Sequence, residues 1–164
     1  MAASARVRYL VLELGVGAAV LNFVINGALA WAMFLGRDPV QVWPAGLEPV
    51  IAGELVGTCF LLPFLTTLIV TPLAARGVRR GRLAADARPL PRWVPKRRGR
   101  RGLLFGACTV VLVAPAALAG FALFEVDTMP LRTFLWGKAA FGAALSIPVT
   151  PLVGVLALRD ARRA

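Results

Sequence analysis

The sequence contains no histidine, a single tyrosine and two cysteines, and only 16% of its 164 residues are charged. Each shortage excludes something. Without histidine the commonest ligand of haem, zinc and copper is gone, as is the usual general base near neutral pH. Cys59 and Cys108 fall inside apolar segments at different depths, so no disulfide framework is implied and both read as small apolar packers. Charge is also too scarce for a soluble domain, where about 25% of residues are charged. What is abundant is apolar: 59% of residues are hydrophobic and the mean hydropathy is +0.75. The composition points to a membrane protein, with no cofactor or metal signature and no enzymatic one.

The charges that do occur are bunched. Between Arg76 and Gly102 stand eleven basic residues (Arg76, Arg79, Arg80, Arg82, Arg88, Arg92, Lys96, Arg97, Arg98, Arg100 and Arg101) against one acid, Asp86. That stretch holds +10 of the net charge of +11. In a soluble chain such an excess would suggest nucleic acid. Set between apolar runs it is mainly a topology signal, and nucleic acid is not the expected partner.

Crossing ~30 Å of hydrocarbon takes about 20 apolar residues in a helix. Four runs qualify, at about 9–35, 50–75, 103–124 and 133–158, in one membrane domain with a basic loop at 76–102. The expected fold class is therefore all-α and polytopic. Arg6 and Arg8 precede the first span, the basic loop separates the second from the third, and Arg159, Arg162 and Arg163 follow the fourth. The other two connections carry Asp38, Glu48, Glu125 and Asp127 against Arg37 and Arg132. Basic loops stay in the cytoplasm, which places both termini and the central loop there. Arginine outnumbers lysine 17 to 2 in an Ala-, Gly-, Pro- and Val-rich chain, a bias of GC-rich bacterial genomes, so the expected site is a bacterial inner membrane. A cleaved signal peptide competes at the N-terminus, with Ala28-Leu29-Ala30 as cleavage motif. Its apolar stretch is too long, holds Glu13, Asn22 and Asn26, and its removal would misplace the basic loop. Trp31, Trp43, Trp93 and Trp136 read as interfacial anchors.

Val70-Thr71-Pro72-Leu73 near the end of the second span recurs as Val149-Thr150-Pro151-Leu152 in the fourth. Residues 29–34 and 119–124 share an Ala/aromatic rhythm at the outer ends of the first and third. The pattern suggests two parallel-repeat helical hairpins related by an axis along the membrane normal. Pro63, Pro72, Pro115, Pro148 and Pro151 mark helix kinks, because proline removes a backbone donor and crowds the carbonyl four residues back. Threonine beside proline can satisfy the freed groups. Around Leu68–Arg82 and Val149–Asp160, and more loosely Asn22–Phe34, the chain resembles uncharacterised small bacterial integral membrane proteins with four helices, which pair a Val-Thr-Pro-Leu helix end with an arginine-rich stretch. The resemblance implies a fold and carries over no functional residue.

Ionisable groups at membrane depth are costly and default to functional hypotheses. Glu13 can snorkel to the interface beside Arg6 or Arg8. Glu54 and Lys138 fall in the outer half with opposite charge, and Asn22 and Asn26 share one helix face. Together with Thr58 they compose an expected polar pocket open to the outside; interhelical glue and snorkelling is the plainer explanation of the same residues. Small pairs four apart (Gly53/Gly57, Gly102/Gly106, Ala116/Gly120, Gly142/Ser146) permit close helix approach. The proline-rich loop around Trp93 is expected to be extended or disordered and to attract anionic lipid headgroups. The functional expectation is a transporter-like or permease-like protein working as a homodimer, since four helices rarely enclose a pathway alone. The alternative is an accessory subunit of a larger membrane complex. An intramembrane enzyme would need Glu54 with Cys59 or Thr58, and has no obvious base.

Overall fold

The computed structural model describes residues 15–44, 48–81, 83–84 and 89–161. Arg6, Arg8, Glu13, Arg82, Asp86, Arg88, Arg162 and Arg163 lie outside them, as does the start of the first span. Four helices carry the chain: α1 (Gly17–Phe34), α2 (Ile51–Arg79), α3 (Arg98–Leu123) and α4 (Leu131–Asp160). All four are long and apolar enough to cross a membrane, and the chain is a multi-pass membrane protein. The helices follow the apolar runs because nothing in lipid satisfies a backbone N–H or C=O except the helix itself. Gly36 and Gly81, at φ +83° and +68°, end α1 and α2 in the left-handed conformation a helix terminus favours.

Two short strands, β1 (Val40–Gln41) and β2 (Thr128–Met129), pair antiparallel with Val40 opposite Met129. They come from the α1–α2 and α3–α4 connections, so both lie at one end of the bundle, the ribbon end. Asp38 ties the same connections together by accepting a hydrogen bond from the Leu131 N–H, at the first turn of α4, over 3.1 Å. Beneath the ribbon, Ala30, Phe34, Val40, Val42, Ile51, Leu55 and Phe134 form a buried cluster, with Trp43 packed against it. Trp31, Trp93 and Trp136 are exposed.

The main helix contacts run α1 with α4, α4 with α2, and α2 with α3. The two helices within each half are not each other's principal partners, so the halves interlock: the first helix of each half packs on the second helix of the other. The spacing of 79 residues from Thr71 to Thr150 also carries Leu55 onto Phe134, Cys59 onto Lys138, Pro63 onto Gly142, Thr67 onto Ser146 and Ala74 onto Val153. All of these last ten positions are buried. The central α2–α4 seam is thus the same face used twice.

Glycine sets the closest approach. A Cβ on Gly106 would meet the Phe60 carbonyl oxygen at 2.9 Å, and one on Gly102 the Phe64 carbonyl oxygen at 3.1 Å, so α3 packs backbone to backbone on α2. Gly142 faces Asn26 of α1. Gly57 and Gly120 border open space. The five prolines all sit inside helices that continue through them.

Opposite the ribbon lies the basic end. Part of the loop expected to be extended or disordered is folded there. Leu90 and Val94 are buried against Val70, Phe105, Val153 and Leu156, so residues 89–97 form a cap over the helix ends. Two apolar side chains, four residues apart among prolines and arginines, hold its inner side.

Candidate functional site

Glu54 lies in the first turn of α2 and Thr58 one turn further on, on the same face. Lys138 enters from the second turn of α4. Its Nζ donates to Glu54 Oε2 at 2.6 Å, to the Glu54 carbonyl oxygen at 2.8 Å, and to Thr58 Oγ1. Thr58 Oγ1 donates in turn to the Glu54 carbonyl over 2.9 Å. An ammonium has three donors, and all three are used. The Lys138 side chain is 1% exposed and that of Glu54 is 19% exposed, so the pair has a closed lysine side and a more open carboxylate side.

Beside this cluster is a cavity of about 240 Å³ between α2, α3 and α4, lined by Leu55, Ala117, Phe121, Phe134 and Phe141 with Lys138 at its edge. Apart from Lys138 its lining is apolar. The arrangement suits a molecule whose body is apolar and whose charged end competes for Lys138 or Glu54. Removing Glu54 alone would leave a buried ammonium without its counter-charge, costing about 3–5 kcal/mol, and removing Lys138 alone would cost less because Glu54 is partly exposed.

Of the five residues expected to share a pocket, Glu54, Thr58 and Lys138 converge. The two asparagines bond within their own helix: Asn22 Nδ2 donates to the Ala18 carbonyl at 2.9 Å and Asn26 Nδ2 to the Asn22 carbonyl at 2.8 Å. Asn26 is buried against Gly142, one turn along α4 from Lys138. The space next to Lys138 is lined by aromatic and aliphatic residues of α2, α3 and α4, which carry no polar signal in the sequence.

Further along the seam, Thr67 and Ser146 are fully buried and donate to the carbonyls of Pro63 and Ala143, each over 2.8 Å. The threonines before Pro72 and Pro151 behave differently from expectation. Thr71 and Thr150 have buried hydroxyls with no hydrogen-bond partner, whereas Thr58, Thr67 and Thr109 all donate to the carbonyl four residues back. What separates the two groups is the following proline, whose ring crowds the residue before it.

A second ion pair with a buried cation was not legible beforehand. Arg101 donates from Nη2 to Asp160 Oδ2 at 2.9 Å and from Nε to the Pro95 carbonyl at 3.1 Å, with its side chain fully buried. Nη1 is buried without a partner. The available signal was that Asp160 is the one acid among the arginines that follow the fourth span. Among the described residues, no group of three or more His, Cys, Asp or Glu side chains comes together. Compared with protein-family models, curated proteins and solved structures, the chain matches none.

Proposed function

We propose that this membrane protein is transporter-like or permease-like, acting on a solute with an apolar body and a charged end. It would reside in a bacterial inner membrane with both termini in the cytoplasm and work as a homodimer. The observation that carries the proposal is the fully hydrogen-bonded Lys138–Glu54–Thr58 cluster at the edge of an apolar cavity within membrane-spanning helices. Ionisable residues are retained at such depth where they meet a partner or a pathway. An anionic end group would compete for Lys138 and a cationic one for Glu54. Binding an anion releases the partly exposed Glu54 carboxylate, whereas binding a cation leaves the buried Lys138 ammonium without its counter-charge, so the anionic exchange is the less costly. The prolines inside α2 and α4 each remove a backbone donor from one of the two helices that form the seam, where a helix bends most readily. No catalytic role is part of the proposal.

The test pairs Glu54→Gln with Lys138→Met in one chain, which removes both charges together. Loss of solute uptake, efflux or tolerance in the host, with the protein still folded and inserted, supports the proposal. Unchanged phenotypes overturn it.

An accessory subunit of a larger membrane complex is the second reading. It is favoured by α1 and α3, which flank the seam and leave Val24, Leu29, Val111 and Leu112 exposed, and by Gly57 and Gly120, beside which there is open space. Crosslinking in the membrane followed by native purification separates the two. Self-dimers alone count against an accessory role, and a stoichiometric larger partner counts against an autonomous one.

A further inference from the structure

We infer that the cap at the basic end is a built binding surface for anionic phospholipid headgroups of the cytoplasmic leaflet. This stands apart from the solute reading and uses only the opposite end of the bundle. The cap has two sides. Leu90 and Val94 face inward onto the core, and Arg101 fastens the segment by bonding the Pro95 and Lys96 carbonyls while pairing with Asp160. Outward stand Arg92, Lys96, Arg97, Arg98 and Arg100, all exposed, together with Trp93 at 66% exposure.

Three features make an anion the fitting partner. The cations gather at the start of α3, where helix dipole and unbonded N–H groups are already positive. There is no acidic residue in that first turn and no capping side chain, so nothing in α3 itself offsets the repulsion. Arg101 Nη1, fully buried beneath the surface, lacks an acceptor. A phosphodiester at the surface would bond the exposed cations, and its negative charge would act on the buried guanidinium below without touching it. An exposed indole beside a basic cluster suits the headgroup region of a bilayer, where its ring is half in apolar surroundings. Nucleic acid would use the charge but gives Trp93 no membrane-facing role.

An unfolded basic tether would attract the same lipids through charge alone, and the folded cap separates from it by one substitution. Asp160→Asn raises the net positive charge, so a tether would bind anionic lipid more tightly. The folded surface would bind it less well, because Arg101 loses the carboxylate that fastens the cap. Leu90→Ala with Val94→Ala loosens the cap from its inner side with no change of charge.

The experiment is native mass spectrometry of the full chain, released from detergent with equimolar phosphatidylglycerol and phosphatidylcholine. Helical content of each variant is checked by circular dichroism. Preference for phosphatidylglycerol is expected in the unaltered protein. Arg97→Gln, Arg98→Gln and Arg100→Gln together should weaken it on the order of a hundredfold, at roughly fivefold per near-surface charge. Asp160→Asn and the Leu90/Val94 double variant should each weaken it severalfold. No preference in the unaltered protein, retention of it in the triple variant, or equal or tighter binding in a folded Asp160→Asn variant overturns the inference. Should Asp160→Asn fail to fold, the Leu90/Val94 variant decides: unchanged preference there also overturns it. Displacement of the lipid by a short RNA at physiological salt would assign the surface to nucleic acid instead.

Discussion

Two ion pairs with buried cations sit at opposite ends of α4 and solve different problems. Lys138 at the ribbon end is saturated, with three acceptors for three donors, and lies at the edge of a cavity. Arg101 at the basic end is incompletely paired, and two of its acceptors are loop carbonyls that it holds in place. Both cations are almost completely buried and both carboxylates are partly exposed. The difference teaches that burial of a charge does not by itself define a site. Where the neighbours are helix residues beside empty space, an exchangeable partner is the natural reading. Where they are loop carbonyls, the charge is a fastener.

Breaking one partner at a time sharpens that contrast most. Glu54→Gln should be the most damaging single change, costing about 3–5 kcal/mol, because it leaves the Lys138 ammonium buried and without its counter-charge. Lys138→Met should cost less, since Glu54 is the partly exposed partner, and the double variant should recover much of the loss. Unfolding midpoints in detergent would check the order, and a double variant no better than Glu54→Gln would break the account. Asp160→Asn should cost about 2–3 kcal/mol in the same assay, smaller because Arg101 keeps its carbonyl acceptors. A larger loss than at Glu54 would invert the comparison.

Between the ends, packing gives a third test. Gly106→Ala should cost about 1–3 kcal/mol, because the new methyl meets the Phe60 backbone, while Gly120→Ala in open space should be neutral. Equal effects would show that α3 does not approach α2 as closely as described. The smallest effects belong to the hydroxyls. Thr58→Val should cost about 1–2 kcal/mol by removing an acceptor from Lys138, whereas Thr71→Val and Thr150→Val should be near neutral or stabilising. A clear loss at Thr71 or Thr150 would mean that those hydroxyls have partners in the membrane.

The site was partly legible. Glu54 and Thr58 share a face by helical spacing, and opposite charges at similar depth pointed from Glu54 to Lys138. Nothing local said that Asn22 and Asn26 would bond back to their own helix; for Asn26 that conformation depends on Gly142, whose missing side chain leaves the room the amide occupies. The cavity was invisible for a related reason. Its lining comes from three helices and from Met129 of β2, and Phe121, Phe134 and Phe141 look like any other apolar residues in a span. Arg101 was hidden among ten other basic residues of its loop.

By itself the sequence determined the four spans and the end at which charge collects, since the energy of placing a residue in lipid adds up locally along the chain. It also held the 79-residue spacing in its two Val-Thr-Pro-Leu strings. Only the tertiary structure decided that α1 packs on α4 and α3 on α2, that Leu90 and Val94 turn a basic loop into a cap, and that two carboxylates find two cations. Those outcomes rest on close contact between surfaces far apart in sequence, where a single methyl at Gly106 or a single acceptor at Asp160 changes the result.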